Sequence, residues 1–285
     1  MNDVGAKDRR EKKTKDTSLA RKWLRYVARR AAYPLIETLT AHRGILRRIN
    51  GEAIRFPVPW CRYYPSIYEP AKHSFLRFHC GPGSDVLDIG AHLGLFTVVM
   101  ARCVAPSGQV FSFEPSADTR LALVKTVKLN CCQHLVSVRP EAVSSASGQA
   151  VFYCAETPVC NSNSLVAGES AAFGTTVQTV SVDDFVSAHR LKVACIKIDA
   201  EGSEIEILRG ARRTMEQCRP ALAVEIHPKL LSDPTWGDEL WELARVCGLS
   251  WMMDGKRLSR EELVSQREYV EVQAVRTELL RGDGL

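Results

Sequence analysis

Hydrophobic and polar positions change period repeatedly along this chain. Short apolar runs of β character at Asp85–Asp88, Gln109–Phe113, Val136–Arg139, Cys195–Asp199, Ala221–Ile226, Ser250–Met253 and Tyr269–Val275 alternate with stretches whose apolar residues recur every three or four positions. The second kind predicts helices over Leu93–Val104, Ala117–Asn130, Ile205–Cys218 and Glu239–Cys247. This alternation implies a doubly wound α/β fold, with a mostly parallel seven-stranded sheet, right-handed crossovers and helices on both faces. The last two strands, joined near Asp254-Gly255 and then by Glu261–Gln266, are expected to add an antiparallel C-terminal edge. The aromatic, proline-interrupted segment Glu52–Ser66 reads as edge strands or a loop over a pocket mouth.

Three regions are expected along the 285 residues. Residues 1–17 are charged and poor in apolar groups, a composition that cannot offset the entropy of ordering, so they read as a basic disordered tail. Residues 18–50 read as a basic helical extension, capped by Ser18 and carrying Leu19, Trp23 and Val27 on one face. That helix either lies on an anionic membrane or a partner, or packs on its own domain beneath a solvated tail. Residues 51–285 form the expected catalytic domain.

Charge divides unevenly. Residues 1–50 hold fourteen Lys/Arg against five Asp/Glu, a surplus of +9 in a chain whose net charge is +5, so the remainder is mildly acidic. No broad basic face is indicated there for a nucleic-acid backbone. No apolar run reaches the roughly 18 residues of a membrane span, and the N-terminus lacks a signal-peptide core, which makes the cytoplasm the expected compartment, with peripheral membrane contact as the open option. The ten cysteines show no zinc-type spacing and read as reduced thiols, with Cys195 in a core strand.

The candidate chemistry begins in D-V-L-D-I-G-A-H-L-G, where a strand ends at Asp88 and a helix begins near Leu93, with Gly90 and Gly94 flanking the turn. Gly90 lets backbone approach a ligand where a Cβ would collide, and a helix N-terminus offers free N–H groups. The spacing G-x-x-x-G is not the G-x-G-x-x-G of a dinucleotide site, which disfavours an oxidoreductase, and no Walker sequence is present. The next strand, Q-V-F-S-F-E-P, ends in Glu114, placed to accept the hydroxyls of a ribose. Alone, the glycines could serve packing and Glu114 could face solvent; together they point to a nucleoside cofactor.

The stretch from Tyr68 to His227 resembles the FkbM-type methyltransferases. It supplies Y-E-P at Tyr68–Pro70, D-I-G-A-H-L-G from Asp88, F-E-P from Phe113, Asn130 after the following helix, E-A-V-S from Glu141, V-D-D-F from Val182, K-I-D-A-E-G-S-E from Lys197 and E-I-H-P from Glu225. One departure lies in the turn, where the family has Asn and this chain has His92. The resemblance implies a Rossmann-like methyltransferase fold using S-adenosylmethionine. It assigns the methionine end of that cofactor to Asp88, Gly90 and Gly94, with Ala91 and His92 in the same cofactor-binding turn, the ribose to Glu114, and the adenine edge to Glu141 and Ala142. It also implies O-methylation of a hydroxylated small molecule such as a sugar, glycolipid or polyketide-like product.

Ligands of parallel sheets sit outside the carboxyl ends of the strands, and two of those ends are unusually acidic here. Asp199 and Glu201 leave one strand, and Glu225 and His227 leave the next. Methyl transfer is an in-line displacement at an already activated carbon, so the protein supplies alignment and a stronger nucleophile. His227 is the natural base at neutral pH, with Asp199 orienting it or acting itself. Alternatively, carboxylates at the two strand ends hold Mg²⁺. Both acids could also serve only as caps or ion pairs for the helix beginning near Ile205. The N-S-N-S stretch, Asn161–Ser164, reads either as a sugar contact or as ordinary surface loop. No N-P-P-Y clamp or P-C nucleophile for a nucleic-acid base is present, and a non-catalytic binding module on this fold is the rival class.

Overall fold

The computed structural model describes residues 32–154, 163–166, 173–231 and 233–280. The tail, the helix expected around Leu19–Val27, and Asn161 and Ser162 lie outside these residues. The part of the extension that is described contains a helix over 32–39 (α1) followed by a strand, β1 (Ile45–Ile49), paired antiparallel with β2 (Glu52–Phe56). The expected helical extension over 18–50 is therefore corrected at its C-terminal end, and a hairpin straddles the expected boundary at residue 51. Its turn, Asn50-Gly51, has φ of 48° and 84°, and Asn-Gly is the pair that tolerates two left-handed residues in a tight hairpin.

An eight-stranded sheet forms the body, in the order β12-β11-β13-β10-β9-β3-β4-β5. All seven long strands fall within a residue or two of their expected positions: β3 (Asp85–Ile89), β4 (Gln109–Phe113), β5 (Val136–Arg139), β9 (Val193–Ile198), β10 (Ala221–Ile226), β11 (Leu249–Met253) and β13 (Val270–Arg276). The eighth, β12 (Lys256–Arg257), is a two-residue addition. Strands β5, β4, β3, β9 and β10 run parallel. The last two long strands, β11 and β13, add the expected antiparallel C-terminal edge, with the final strand on its inner side. That strand inserts between β10 and β11, antiparallel to both, and its Val270, Val272, Ala274 and Val275 are buried across both faces.

Further helices are α2 (Pro70–His79), α3 (Leu95–Val104), α4 (Ala117–Leu129), α5 (Val182–His189), α6 (Glu204–Arg209), α7 (Arg212–Cys218), α8 (Trp236–Val246) and α9 (Arg260–Val264); α3, α4, α6–α7 and α8 answer to the four expected helices, while α2, α5 and α9 were not foreseen. The single helix expected over Ile205–Cys218 is two, broken at Gly210-Ala211. The V-D-D-F marker is the start of α5, where the Ser181 hydroxyl accepts from Asp184 N–H, and Asp183 caps α7 by accepting from Thr214 N–H at 2.7 Å. A separate three-stranded sheet, β6 (Ala142–Val143), β7 (Gly148–Cys154) and β8 (Phe173–Val180), was not foreseen.

Strand alternation splits the main core into two layers. Leu87, Ile89, Ile196, Ile198, Leu222, Val224 and Ile226 pack under α5–α8. Val86, Cys195, Ala221 and Ala223 face α2 and α3. The same alternation puts Asp88, Lys197 and Glu225 on this second face, one step further toward the strand ends. No helix among the described residues is long and apolar enough to cross a membrane.

Candidate active site

The chain leaves β3 toward β4 and β5, then returns to β9 on the other side of β3. That reversal opens a crevice at the carboxyl ends of β3 and β9, the place where open α/β sheets bind ligands. A cavity lies there. Its walls include Gly90, Ala91 and His92 after β3, Glu114 after β4, Ala142 of β6, Asp199 and Glu201 after β9, and Glu225 of β10. Eight of the twelve expected site residues thus meet in one place, and the other four do not line it.

Gly90 makes the crevice possible. Its φ is +72°, and a Cβ on it would stand 1.8 Å from the Asp199 carbonyl oxygen. Gly94, φ +86°, faces away from the cavity; a Cβ there would meet Leu123 of α4 at 2.5 Å, so it serves the entry into α3. Asp88 is also outside the cavity wall. Its Oδ2 accepts from the Thr97 hydroxyl at 2.5 Å, and its Oδ1 lies 3.4 Å from Lys197 Nζ. Lys197 in turn donates to the Gly90 carbonyl at 2.7 Å and lies 3.5 Å from Asp199. Asp88 therefore shapes the turn through Lys197. Burial disfavours the charged lysine, but Asp199 and Asp88 outweigh it and raise its pKa.

Glu114 is buried with both oxygens engaged: Oε2 accepts from His92 N–H and Oε1 from Ser116 N–H, each at 3.0 Å. Two backbone donors fix the carboxylate while leaving lone pairs for ligand hydroxyls. Desolvation pushes its pKa up to about 7 against those bonds. Glu141 is turned away into an ion pair with Arg139 at 2.6 Å, so that of the two residues expected at the adenine edge only Ala142 lines the cavity.

His92 has φ +48° and an environment unlike that of a catalytic base. Its Nδ1 is 3.2 Å from the Tyr64 hydroxyl, its ring centroid is 4.8 Å from that of Tyr63, and burial lowers its pKa to about 4. The imidazole is neutral at physiological pH. Tyr63, Tyr64 and Tyr68, from the segment expected to cover a pocket mouth and the Y-E-P marker, line the cavity beside it.

The acidic end depends on two residues that the sequence did not single out. Lys72 of α2 is fully buried and donates to Glu225 Oε2 at 2.5 Å and to Glu69. Glu204, the first residue of α6, is fully buried beneath His227. Burial alone would raise Asp199, but Lys197 and Lys72 hold it below the usual carboxylate range. Burial raises Glu201 and Glu225 to about 7, helped in each case by the Asp199 charge.

His227 departs from its expected role. It lies off the cavity wall, its Nδ1 pairs with Glu204 Oε1 at 3.0 Å instead of Asp199, and its Nε2 stands 3.5 Å from Glu201. Burial lowers its pKa, but Glu204, Glu201 and Glu225 overcome this and raise it to about 9. An imidazole held toward its protonated form by three carboxylates is poorly suited to the base role expected of it, and the expected Asp199 is not its hydrogen-bond partner. Ser164 and Asn163, the described half of the N-S-N-S stretch, reach the site: Asn163 lines the cavity, and the Ser164 hydroxyl donates to the Glu201 carbonyl at 2.6 Å.

The methyltransferase FkbM domain matches residues 88–248, more than half of the chain. The chain belongs to the FkbM methyltransferase family. Its expected family membership and Rossmann-like α/β fold both hold, and family membership makes S-adenosylmethionine the methyl donor. Hexuronic acid methyltransferase AglP of Haloferax volcanii is 29% identical over 172 residues, which cover 56% of this chain and 67% of that protein. Two solved structures are similar in fold alone. Methyltransferase FkbM from Methylobacillus flagellatus KT has 14% identity and a TM-score of 0.45, covering 68% of this chain and 43% of its own. The O-methyltransferase from Bacillus cereus in complex with SAH has 15% identity and a TM-score of 0.42, covering 73% of this chain and 81% of its own.

Proposed function

We propose that this FkbM methyltransferase transfers the methyl group of S-adenosylmethionine to a hydroxyl oxygen of a sugar-like small molecule. The observation that carries the reading is the make-up of one cavity: a Cβ-excluding turn at Gly90 and a doubly anchored Glu114 at one end, and the carboxylates of Asp199, Glu201 and Glu225 at the other. The first pair suits the donor, since backbone that lines the cavity with no side chain in the way and a fixed acceptor for two hydroxyls are what a nucleoside requires. The second suits a polyhydroxylated acceptor, because carboxylates accept hydrogen bonds from adjacent hydroxyls. The hexuronic acid specificity named for the Haloferax relative supports a sugar-like acceptor.

When bound, the donor supplies a methyl carbon on a positively charged sulfur, already activated toward displacement. The chain's task is then alignment and proton removal. Gly90, Ala91 and Glu114 hold the donor's ends, with Lys197 fixing the turn by its bond to the Gly90 carbonyl. Asp199, Glu201 and Glu225 orient the acceptor hydroxyl and take its proton as the oxygen attacks. Tyr63, Tyr64, Tyr68 and Phe96 form the apolar wall that keeps water from that oxygen.

The test is transfer of labelled methyl from S-adenosylmethionine to a panel of free and lipid-linked sugars, hexuronic acids included, with product mapping by mass spectrometry. The expected product carries an O-methyl group. Label found on nitrogen or on a nucleic acid would overturn the acceptor class, and failure of S-adenosylhomocysteine to raise the melting temperature would overturn the donor. A role for the basic N-terminal region in holding the enzyme at an anionic membrane belongs to this proposal; deleting residues 1–31 would then lower vesicle binding and spare turnover on soluble acceptors.

A further inference from the structure

Asp199 and Glu201 leave β9 and His227 leaves β10, and one donor atom from each lies within 4.8 Å of the other two. The imidazole is oriented within this triangle. Glu204 occupies its Nδ1 at 3.0 Å, which turns Nε2 toward Glu201 at 3.5 Å and Glu225 at 3.6 Å. A carboxylate on one ring nitrogen, with the other aimed at further carboxylates, is how proteins fix a histidine as a metal ligand.

A separate observation concerns Glu204 itself. Its side chain is fully buried; Oε1 faces His227 and also accepts from Gly202 N–H at 2.9 Å, while Oε2 has no hydrogen-bond partner among the described residues. A bare carboxylate oxygen in the interior is costly unless positive charge stands close by. The surroundings are short of it. Glu69, Asp88, Asp199, Glu201, Glu204 and Glu225 share, among the described residues, the ammonium groups of Lys72 and Lys197 and the ring of His227.

We propose that Asp199, Glu201 and His227 Nε2 bind a divalent metal ion at the acceptor end of the cavity, with Glu204 as the residue that positions the imidazole. Two carboxylates and one imidazole suit Mn²⁺, Fe²⁺, Co²⁺ or Zn²⁺ better than Mg²⁺, which takes oxygen ligands almost exclusively. Metal–ligand distances of about 2.1 Å put donor atoms about 3.0–3.4 Å apart, so the present spread of up to 4.8 Å must close by at most roughly 1.4–1.8 Å, a movement that side-chain rotation can supply. Asp199 and Glu201 line the cavity, so the ion's remaining positions open onto the acceptor. There it would bind neighbouring hydroxyl oxygens and make the reacting one more acidic. This use of the ion rests on the proposed O-methylation; its binding does not.

The probe is Mn²⁺ added to chelator-treated full-length protein, read by electron paramagnetic resonance and calorimetry. One ion per chain is expected, with a Kd in the micromolar range and electron spin-echo modulation from a directly bound ¹⁴N. His227→Gln and Asp199→Asn should each weaken binding at least tenfold, and Glu204→Gln by about 10- to 100-fold. Binding no tighter than millimolar, no nitrogen modulation, or an affinity indifferent to His227→Gln would overturn the proposal. The nitrogen signal is measured on the unaltered protein, so it decides the matter even where a variant fails to fold. Titration with S-adenosylhomocysteine separates the two readings: a chain that binds the nucleoside but not Mn²⁺ removes the metal alone, and the converse removes the donor site alone.

Discussion

Gly90→Ala is the substitution on which the crevice depends most directly. The new Cβ would stand 1.8 Å from the Asp199 carbonyl oxygen and 2.9 Å from its carbonyl carbon. Both are backbone atoms at the exit of β9, so no side chain can rotate aside. Reaching even 3.0 Å from the oxygen means parting the β3 and β9 exits by about 1.2 Å, the kind of backbone shift that costs about 1–3 kcal/mol in a packed interior. The left-handed φ of +72° adds about 1 kcal/mol for a residue with a side chain. The sum, about 3 kcal/mol, corresponds to a fall in Tm of about 6–12 °C for a domain of this size. Gly51→Ala is the internal control. Its φ is +84° but nothing lies within 4 Å of its Cβ, so it should lose only the conformational part, about 2–4 °C. Because β3 and β9 carry Gly90 and Asp199, the same displacement should weaken S-adenosylhomocysteine binding and lower kcat by about 10²-fold. Differential scanning calorimetry and isothermal titration of both variants provide the check. Equal Tm losses, or nucleoside affinity in Gly90→Ala within threefold of the parent, would refute the close approach as the basis of the site.

Glu114→Gln should weaken S-adenosylhomocysteine about 10²-fold, since an amide cannot accept from two backbone donors and two ribose hydroxyls at once; calorimetric affinity within threefold of the parent would dismiss the ribose role. Glu114 also has a sign in pH. Its folded pKa of about 7 exceeds the ordinary 4.5, so the folded state holds a proton that the unfolded chain releases between those values. Its contribution to stability is present below about 4.5 and is lost as pH rises to about 7. The Tm of the parent should therefore fall relative to that of Glu114→Gln across this window; parallel curves would contradict the burial argument. Lys197→Met leaves Asp88 and Asp199 without their shared cation and should cost about 3–5 kcal/mol in urea unfolding, where a loss under 1 kcal/mol would count against it. His92→Asn places the family's residue in a site where the histidine is already neutral, and should leave nucleoside affinity within threefold between pH 6 and 8; a loss of tenfold would show that the imidazole itself is needed.

The main sheet was legible because its strands carry their own signal. Asp85–Ile89 and Val193–Ile198 are buried on both faces and mostly apolar, as strands covered on two sides must be, and Gly90 and Glu114 follow their strands directly, where both line the cavity. The β1–β2 hairpin was also written in the chain, in the Asn50-Gly51 pair between Ile45–Ile49 and Glu52–Phe56. The basic composition around it drew the reading toward a helix instead. The sheet of β6, β7 and β8 was not readable, since β8 is largely exposed and polar, F-G-T-T-V-Q-T-V, and holds together by pairing with β7 and not by burial. The insertion of β13 was hidden for a different reason: a buried strand looks the same whether it lies inside the sheet or beside it.

Within the site, strand-end position located the acids but could not supply their charges. Asp199 and Glu201 are two residues apart in sequence, yet Lys197 and Lys72 hold one ionised while burial pushes the other up to about 7. Lys72 sits on α2, 153 residues from the Glu225 it binds, and nothing local in P-A-K-H-S marks it as buried. Lys197 did leave a trace, because a lysine between isoleucines in a core strand must find anions there. His227 shows the consequence most plainly. By type and place it looked like a base, and only the fold, by setting Glu204 against its Nδ1 and Glu201 near its Nε2, turns it into a cation, or into a ligand for one.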